Sequence, residues 1–169
     1  MIDERSSMLL DGRVFGISFS LSHRNSYAAE GLDRLHGHTY GLAVELKGEH
    51  GAEGRLIFPL EELLKIVKDL CGRLNNKVLL ASGGDNVYKE DSIMMEYISS
   101  DEKRYILPMG DVELLPIEEV TAEALASWIG TEIAARVREH RDFHDNIEEI
   151  EITLFEGQER SCVTTIQLT

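Results

Sequence analysis

Two stretches of alternating apolar residues, each with histidine at one end, constrain the fold of this chain more than any other feature. The first ends at His23 and comprises Phe15, Ile17, Phe19 and Leu21. The second begins at His36 and His38 and continues through Tyr40, Leu42, Val44 and Leu46. Successive side chains of a strand point to opposite faces, so each series forms one face of a strand. The pattern predicts strands over residues 13–23 and 36–48 that bury these faces together.

The three histidines would then meet at one end of a shared core. Three neutral imidazole nitrogens with one open position form the ligand set of a catalytic Zn²⁺ site. A single histidine at such a position is more often a hydrogen-bonded core residue, but three of them at the ends of apolar faces favour a metal. We therefore predict that His23, His36 and His38 bind Zn²⁺.

The rest of the chain predicts two helices, two further strands and a small insert. The helices have apolar residues at helical spacing, and Thr121 is a good N-cap for the second. The order of elements predicts one α+β domain over residues 1–169, in which two helices cover one face of a four-stranded antiparallel sheet. The predicted helices span 59–74 and 121–139, the strands 150–154 and 163–168, and the insert about 81–117, with a hairpin over 93–98 and 104–107 and an irregular stretch over 108–116.

Charge and composition exclude several classes of partner. The chain has 169 residues, and 31 acidic against 17 basic residues give a net charge of -14, which repels phosphate backbones. We therefore expect no nucleic-acid partner. There is no apolar run near 18 residues and no signal-peptide pattern, so we expect no membrane association and a cytoplasmic location. Cys71 and Cys162 do not make a disulfide framework.

Three acidic residues are candidates for the chemistry of the site. Glu156 extends the apolar face of the strand over 150–154, where a carboxylate must find hydrogen-bond donors. Either Arg13 or Arg160 satisfies it, or a ligand with two adjacent N–H donors does, such as a guanine-like or pterin ring. The residues alone leave these alternatives equal. Asp33 and Glu30 lie in the connection beside the histidines, and Asp33 is close enough to them to act as an acid or base.

The motifs Phe19-x-x-x-His23 and Leu35-His36-Gly37-His38-x-Tyr40 resemble the 6-pyruvoyl-tetrahydropterin synthase and 6-carboxytetrahydropterin synthase family. Further matches follow in the same order along the chain, at 54–63, 74–79, 121–126 and 154–156. The resemblance implies a T-fold, in which the sheets of several subunits close into a barrel as a tetramer or hexamer. It also implies Zn²⁺ on the three histidines and a pterin held by Glu156 near Thr121.

The chain departs from the family where protons are transferred. Leu32 replaces the family's catalytic cysteine, Asn75 and Asn76 replace its Asp-His pair, and Phe58 replaces a further aspartate. One branch of the family uses a glutamate three residues before His-Gly-His, where this chain has Asp33.

The resemblance therefore implies a zinc-dependent pterin lyase acting on 7,8-dihydroneopterin triphosphate or a related dihydropterin. Its acid/base set would be led by Asp33, with Glu30 in reserve. The alternative is a pterin- or purine-binding T-fold protein without lyase activity.

Overall fold

The structure, a computed structural model, describes residues 5–24, 34–50, 56–83, 87–90, 93–99, 102–140, 143 and 145–168. Within these ranges the chain forms ten strands, two α-helices and a short 3-10 helix at Met109–Asp111. The helices are α1 (Leu60–Leu74) and α2 (Ala122–Glu139). The strands are β1 (Ser6–Asp11), β2 (Ser18–His23), β3 (His36–Gly48), β4 (Lys77–Ala81), β5 (Val87–Glu90), β6 (Met94–Ile98), β7 (Arg104–Pro108), β8 (Val112–Leu115), β9 (Ile147–Glu156) and β10 (Arg160–Gln167).

A seven-stranded sheet forms the centre of the fold. Its order is β10-β9-β3-β2-β4-β8, and β1 pairs with the far end of β3. Strands β10, β9, β3 and β2 are antiparallel neighbours, which confirms the four-stranded antiparallel core predicted from the sequence. Strands β4 and β8 extend this core in parallel orientation.

Both helices pack on one face of the sheet, and this confirms the predicted α+β arrangement. Their apolar faces join the inward face of β3 in a single buried core. No helix in the described ranges is both long and apolar enough to cross a membrane. The fully buried helical residues that the periodicity predicted are Leu63, Val67, Leu70 and Leu74 of α1 and Leu125, Ile129, Ile133 and Val137 of α2.

The strand predicted over residues 13–23 is shorter than expected and begins only at Ser18. Residues 12–16 form a turn, which Ile17 closes by donating its backbone N–H to the Gly12 carbonyl at 2.8 Å. Strands β1 and β2 lie on either side of this turn, and both pair with β3. Phe15 continues the apolar alternation but is 48% exposed. Its side chain lies on the turn between β1 and β2, outside the paired strands.

The stretch over 108–116, predicted to be irregular, contains the strand β8. Its partner, β4, directly follows α1. These two strands pair in parallel, with Val78 opposite Val112 and Ala81 opposite Leu115. The sequences of β4 (KVLLA) and β8 (VELL) do not alternate between apolar and polar residues, and a short apolar run does not identify a strand by periodicity. The prediction for 108–116 was therefore wrong because β8 carries no alternating pattern.

The predicted hairpin of the insert is confirmed by β6 and β7, which pair antiparallel. Strand β5 adds a third member to this small sheet. Met95 and Tyr97 of β6 share a second buried cluster with Leu80 of β4 and Val112 of β8. This cluster joins the small sheet to the parallel edge of the main sheet.

A close backbone approach at Gly48 gives a test of the fold. A Cβ atom there would lie 2.1 Å from the carbonyl oxygen of Asn146 and 2.9 Å from the Cα of Ile147. Backbone cannot yield as a flexible side chain can, so Gly48→Ala should lower the free energy of unfolding by about 1–3 kcal/mol. Urea unfolding at equal protein concentrations measures the change.

Gly72→Ala is the matched control for this substitution. Gly72 lies in α1, and a Cβ atom there would meet no heavy atom within 4 Å. Because alanine favours helix more than glycine does, Gly72→Ala should raise the free energy of unfolding by about 0.5–1 kcal/mol. Equal effects of the two substitutions would contradict the packing at Gly48.

Candidate metal and ligand site

The three predicted metal ligands lie together where β2 ends and β3 begins. His23 is directly opposite His36 in the antiparallel pair, and His38 lies two residues further along β3 on the same face. The ring centroids are 4.7 Å apart for His23 and His36, 4.8 Å for His36 and His38, and 5.2 Å for His23 and His38. One potential ligand atom from each ring lies within 4.8 Å of the other two. These residues, the histidine cluster, could hold a metal ion.

Polar contacts orient two of the three rings. The Nδ1 atom of His36 lies 2.8 Å from the backbone carbonyl oxygen of Arg34, and Nδ1 of His38 lies 2.9 Å from Oε1 of Glu156. A carbonyl oxygen only accepts, so Nδ1 of His36 carries the proton, and the carboxylate contact favours the same tautomer for His38. In a neutral ring of this tautomer, Nε2 has a free lone pair. Histidines that bind metals commonly donate their other ring N–H to a carbonyl or carboxylate in this way.

His23 is buried, and its ring nitrogens lack a well-formed hydrogen bond to any described residue. Its side chain is 6% exposed. Burial, reinforced by the neighbouring His36 and His38, lowers its pKa to about 4, and a weak contact with the Val120 backbone opposes this only slightly. The ring is therefore neutral at pH 7. Two buried, unsatisfied nitrogens beside two oriented imidazoles fit a metal ligand better than a core histidine.

The histidine cluster opens into a cavity of about 680 Å³. Tyr40, Glu156 and the start of α2 also line it. Burial, together with the charges of Glu156 and Glu123, raises the pKa of Tyr40, so its hydroxyl stays protonated. Other residues that line the cavity are Thr121, Ala122, Leu154, Glu159, Arg160, Ser161 and Cys162.

Glu156 and Thr121, the two predicted ligand-binding residues, both line this cavity. Thr121 caps α2, with Oγ1 accepting the backbone N–H of Ala124 at 3.1 Å. Glu156 bonds to His38, whereas Arg13, one of its two predicted arginine partners, pairs with Asp11 at 2.7 Å. The carboxylate therefore faces a potential metal ligand, which the sequence did not indicate.

The predicted proton-transfer residues Asp33 and Glu30 lie outside the described residues, as does Leu32. The residues at the family's other catalytic positions have structural contacts. Asn75 ends α1, and its Oδ1 accepts the backbone N–H of Ser20 at 2.9 Å. Asn76 donates its backbone N–H to the Ser20 carbonyl at 2.7 Å. Phe58 is buried in the core.

Two further residues near the site were not expected from the sequence. Cys162 lies opposite Leu154 in the β9–β10 pair, where burial and the nearby Glu123 raise the pKa of its thiol. A sequence signal for Cys162 was available: the hairpin that follows Glu156 pairs Cys162 with Leu154, and both residues line the cavity. Arg24 follows His23 and is 5% exposed, and it donates a hydrogen bond to the Tyr97 hydroxyl of β6. No periodic signal in the sequence marks that contact.

Comparison with known proteins supports the resemblance seen in the motifs. A relative from Methanocaldococcus jannaschii, provisionally named 6-carboxy-5,6,7,8-tetrahydropterin synthase, is 34% identical over 148 residues, covering 88% of this chain and 89% of its own. A Pyrococcus horikoshii relative with the same provisional name is 33% identical over 136 residues, or 80% of this chain and 76% of its own.

Solved structures give the same fold. The 6-pyruvoyltetrahydropterin synthase of Plasmodium vivax aligns with a TM-score of 0.79 at 20% identity, covering 98% of this chain and 99% of its own. The likeness confirms the T-fold. The sequence profile described as 6-pyruvoyl tetrahydropterin synthase matches residues 14–166. This chain belongs to the 6-pyruvoyl tetrahydropterin synthase family.

Proposed function

We propose that this protein is a zinc-dependent lyase acting on 7,8-dihydroneopterin triphosphate or a related dihydropterin. The observation that carries the proposal is the histidine cluster, in which buried His23 has no well-formed hydrogen bond to a described residue, opening into the same cavity as Glu156. Family membership narrows the substrate class to pterins. The names of the curated relatives and of the structural neighbours agree in pointing to tetrahydropterin synthesis.

The histidine cluster would hold the metal through a nitrogen of His23 and the Nε2 atoms of His36 and His38. All three are suited to this because His23 is neutral at pH 7 and the other two are oriented through Nδ1. A bound Zn²⁺ would supply Lewis-acid polarisation of oxygens on the pterin side chain. Donor type and number agree with zinc, which prefers nitrogen ligands and keeps one position open at catalytic sites.

The ring of the pterin would lie between Glu156 and the start of α2. The carboxylate of Glu156 can accept ring N–H groups in charge-assisted hydrogen bonds. Thr121 accepts one hydrogen bond at Oγ1 from the helix backbone, and its hydroxyl proton remains able to donate to an oxygen of the ring. Tyr40 contributes a protonated phenol to the same wall.

Proton transfer in this reaction is assigned to Asp33, with Glu30 in reserve. Two solved variants of the Plasmodium vivax enzyme are described as mutants of a catalytic glutamate, so a carboxylate is a catalytic residue in that structural neighbour. In the family branch that lacks the cysteine, a glutamate precedes His-Gly-His by three residues, and Asp33 occupies that position here.

A second function, binding of a pterin or purine without turnover, is favoured by one specific observation. Asn75 joins α1 to β2 through its side-chain oxygen and Asn76 through its backbone N–H, and neither side chain can act as an acid or base near pH 7. Incubation with 7,8-dihydroneopterin triphosphate, with and without Zn²⁺, followed by mass analysis of products, separates the two functions. Zinc-dependent product formation supports the lyase, whereas tight binding with an unchanged ligand supports the binding protein.

The metal content of the purified protein gives the first test. Protein prepared without chelator should contain close to one equivalent of zinc per chain, because the cluster supplies three imidazole nitrogens to one ion. His36→Ala should remove most of it. His50→Ala is the matched control, since His50 is exposed beyond the opposite end of β3. Full zinc content in His36→Ala would show that the ligands are wrongly assigned.

Asp33→Asn tests the proposed acid/base group. Proton transfer by a positioned side chain contributes about 10²–10⁴-fold, so this variant should lose on the order of 3–5 kcal/mol of barrier lowering. Zinc content should stay unchanged because the histidines are intact. Glu30→Gln is the comparison variant and should lose less activity. Full turnover by Asp33→Asn, measured by product formation per minute, contradicts the assignment.

Open sheet edges support a closed homo-oligomer, either a tetramer or a hexamer. Within the described residues β10 pairs only with β9, and β1 pairs only with β3. Each edge carries an exposed apolar side chain, with Leu9 at 62% and Val163 at 56%. Unpaired edges tend to join other strands. Light scattering at micromolar concentration should therefore give the mass of a closed oligomer, and a monomeric mass would count strongly against it.

A further inference from the structure

The bond between His38 and Glu156 links the two halves of the site. Nδ1 of His38 and Oε1 of Glu156 are 2.9 Å apart, and the side chains are 26% and 23% exposed. A carboxylate oxygen at this distance can accept an Nδ1–H group, so the contact favours the tautomer of His38 that carries its proton on Nδ1. In that tautomer the Nε2 lone pair is available to the histidine cluster.

The backbone holds Glu156 in reach of His38. Glu156 is the last residue of β9 and lies directly opposite Tyr40 in the pair with β3. His38 is two residues away from Tyr40 on the same face, so it is the diagonal neighbour that long side chains can reach. Gly157 then turns the chain at a φ of 64° and donates its N–H to the Thr39 carbonyl at 3.2 Å. The end of β9 is thus fixed beside the cluster.

Within the part of the chain that the structure describes, His38 is the one ring of the three that contacts a carboxylate side chain. His36 is oriented by a backbone carbonyl, which substitutions do not remove, and His23 has no well-formed hydrogen bond to a described residue. Glu156 also lines the cavity. A carboxylate has about four acceptor positions on its two oxygens, so His38 leaves acceptor capacity for a ligand.

We propose that Glu156 is a positioning residue for the metal as well as an anchor for the ring. Through Oε1 it orients His38 toward the ion, and through its remaining acceptor positions it binds an N–H group of the ligand. The ring part of this inference rests on the proposed function, whereas the metal part depends only on the histidine cluster. Loss of the carboxylate should therefore weaken the binding of both zinc and the ring. The sequence alone assigned zinc to the histidines and the ring to Glu156.

Substitutions at position 156 separate the two roles. Glu156→Ala removes the acceptor and should lower zinc affinity about 10–100-fold, the usual effect of losing a partner of a metal ligand. Glu156→Asp keeps the charge but shortens the side chain, so it should lose zinc affinity in the same direction. Glu156→Gln keeps an amide oxygen for His38 and should bind zinc nearly as wild type does. The same variant should bind neopterin weakly, because an N–H₂ group replaces part of the acceptor surface.

Zinc affinity is measured without any pterin, by competition with a chromophoric chelator. Glu159→Ala is the control for charge, since this exposed carboxylate lines the same cavity three residues away. It should leave zinc affinity unchanged. In the metal-free protein, nitrogen NMR of the imidazole rings should show the His38 proton on Nδ1 in wild type and Glu156→Gln, and a mixture of tautomers in Glu156→Ala.

The outcomes distinguish this inference from the proposed function. If the wild type binds no zinc, the proposed function fails. If the wild type binds zinc and both Glu156→Ala and Glu156→Asp bind it equally well, the positioning role of Glu156 is overturned. Should Glu156→Ala fail to fold by circular dichroism, Glu156→Asp and the tautomer of His38 in Glu156→Gln decide the question.

Discussion

The antiparallel register between β2 and β3 is the constraint on which the rest of the structure depends. It places His23 opposite His36, and Phe19 opposite Tyr40. Side chains alternate with a period of two, so a slip of one residue would move the whole apolar series and the histidines to the other face. Burial of the core and assembly of the site are therefore one event. A chain paired with a shift of one residue would lose both the buried core and the site.

The histidine cluster is in conflict with the stability of the free protein. His23 is buried with no well-formed hydrogen bond to a described residue, and such a group costs about 1–3 kcal/mol. Its pKa is about 4 in the folded chain against an ordinary value of 6.5, so the unfolded state binds more protons between these pH values. Acidification through this window therefore destabilises the fold. A metal ion on the cluster would satisfy one nitrogen and bind only the native state, which adds stability by mass action.

Long periodic patterns in the sequence predicted the histidine cluster, both helices and the four central strands. Non-periodic features escaped prediction, and β4 and β8 are the clearest case, because their apolar residues do not alternate with polar ones. The contact between Glu156 and His38 was missed for another reason. It depends on the register between β9 and β3, two strands about a hundred residues apart in sequence, and no local pattern specifies such a register. Arg13 was a reasonable partner for Glu156 on charge alone, yet it pairs with Asp11 and stacks on Phe155 at 3.5 Å. Asp33 and Glu30 stay predictions, since they lie outside the described residues.

The turn at residues 12–16 separates β1 from β2. Both strands pair with β3, but their other neighbours differ. Strand β2 carries His23 and is enclosed between β3 and β4, whereas the described neighbour of β1 is β3 alone. Substitutions of exposed residues in β1 and the turn, such as Leu9 and Phe15, therefore need not move the strand that carries His23, whereas Leu10 of β1 is part of the core. Exposed positions on the outer strand can change independently of the site, while β2 must keep the register that brings the histidines together.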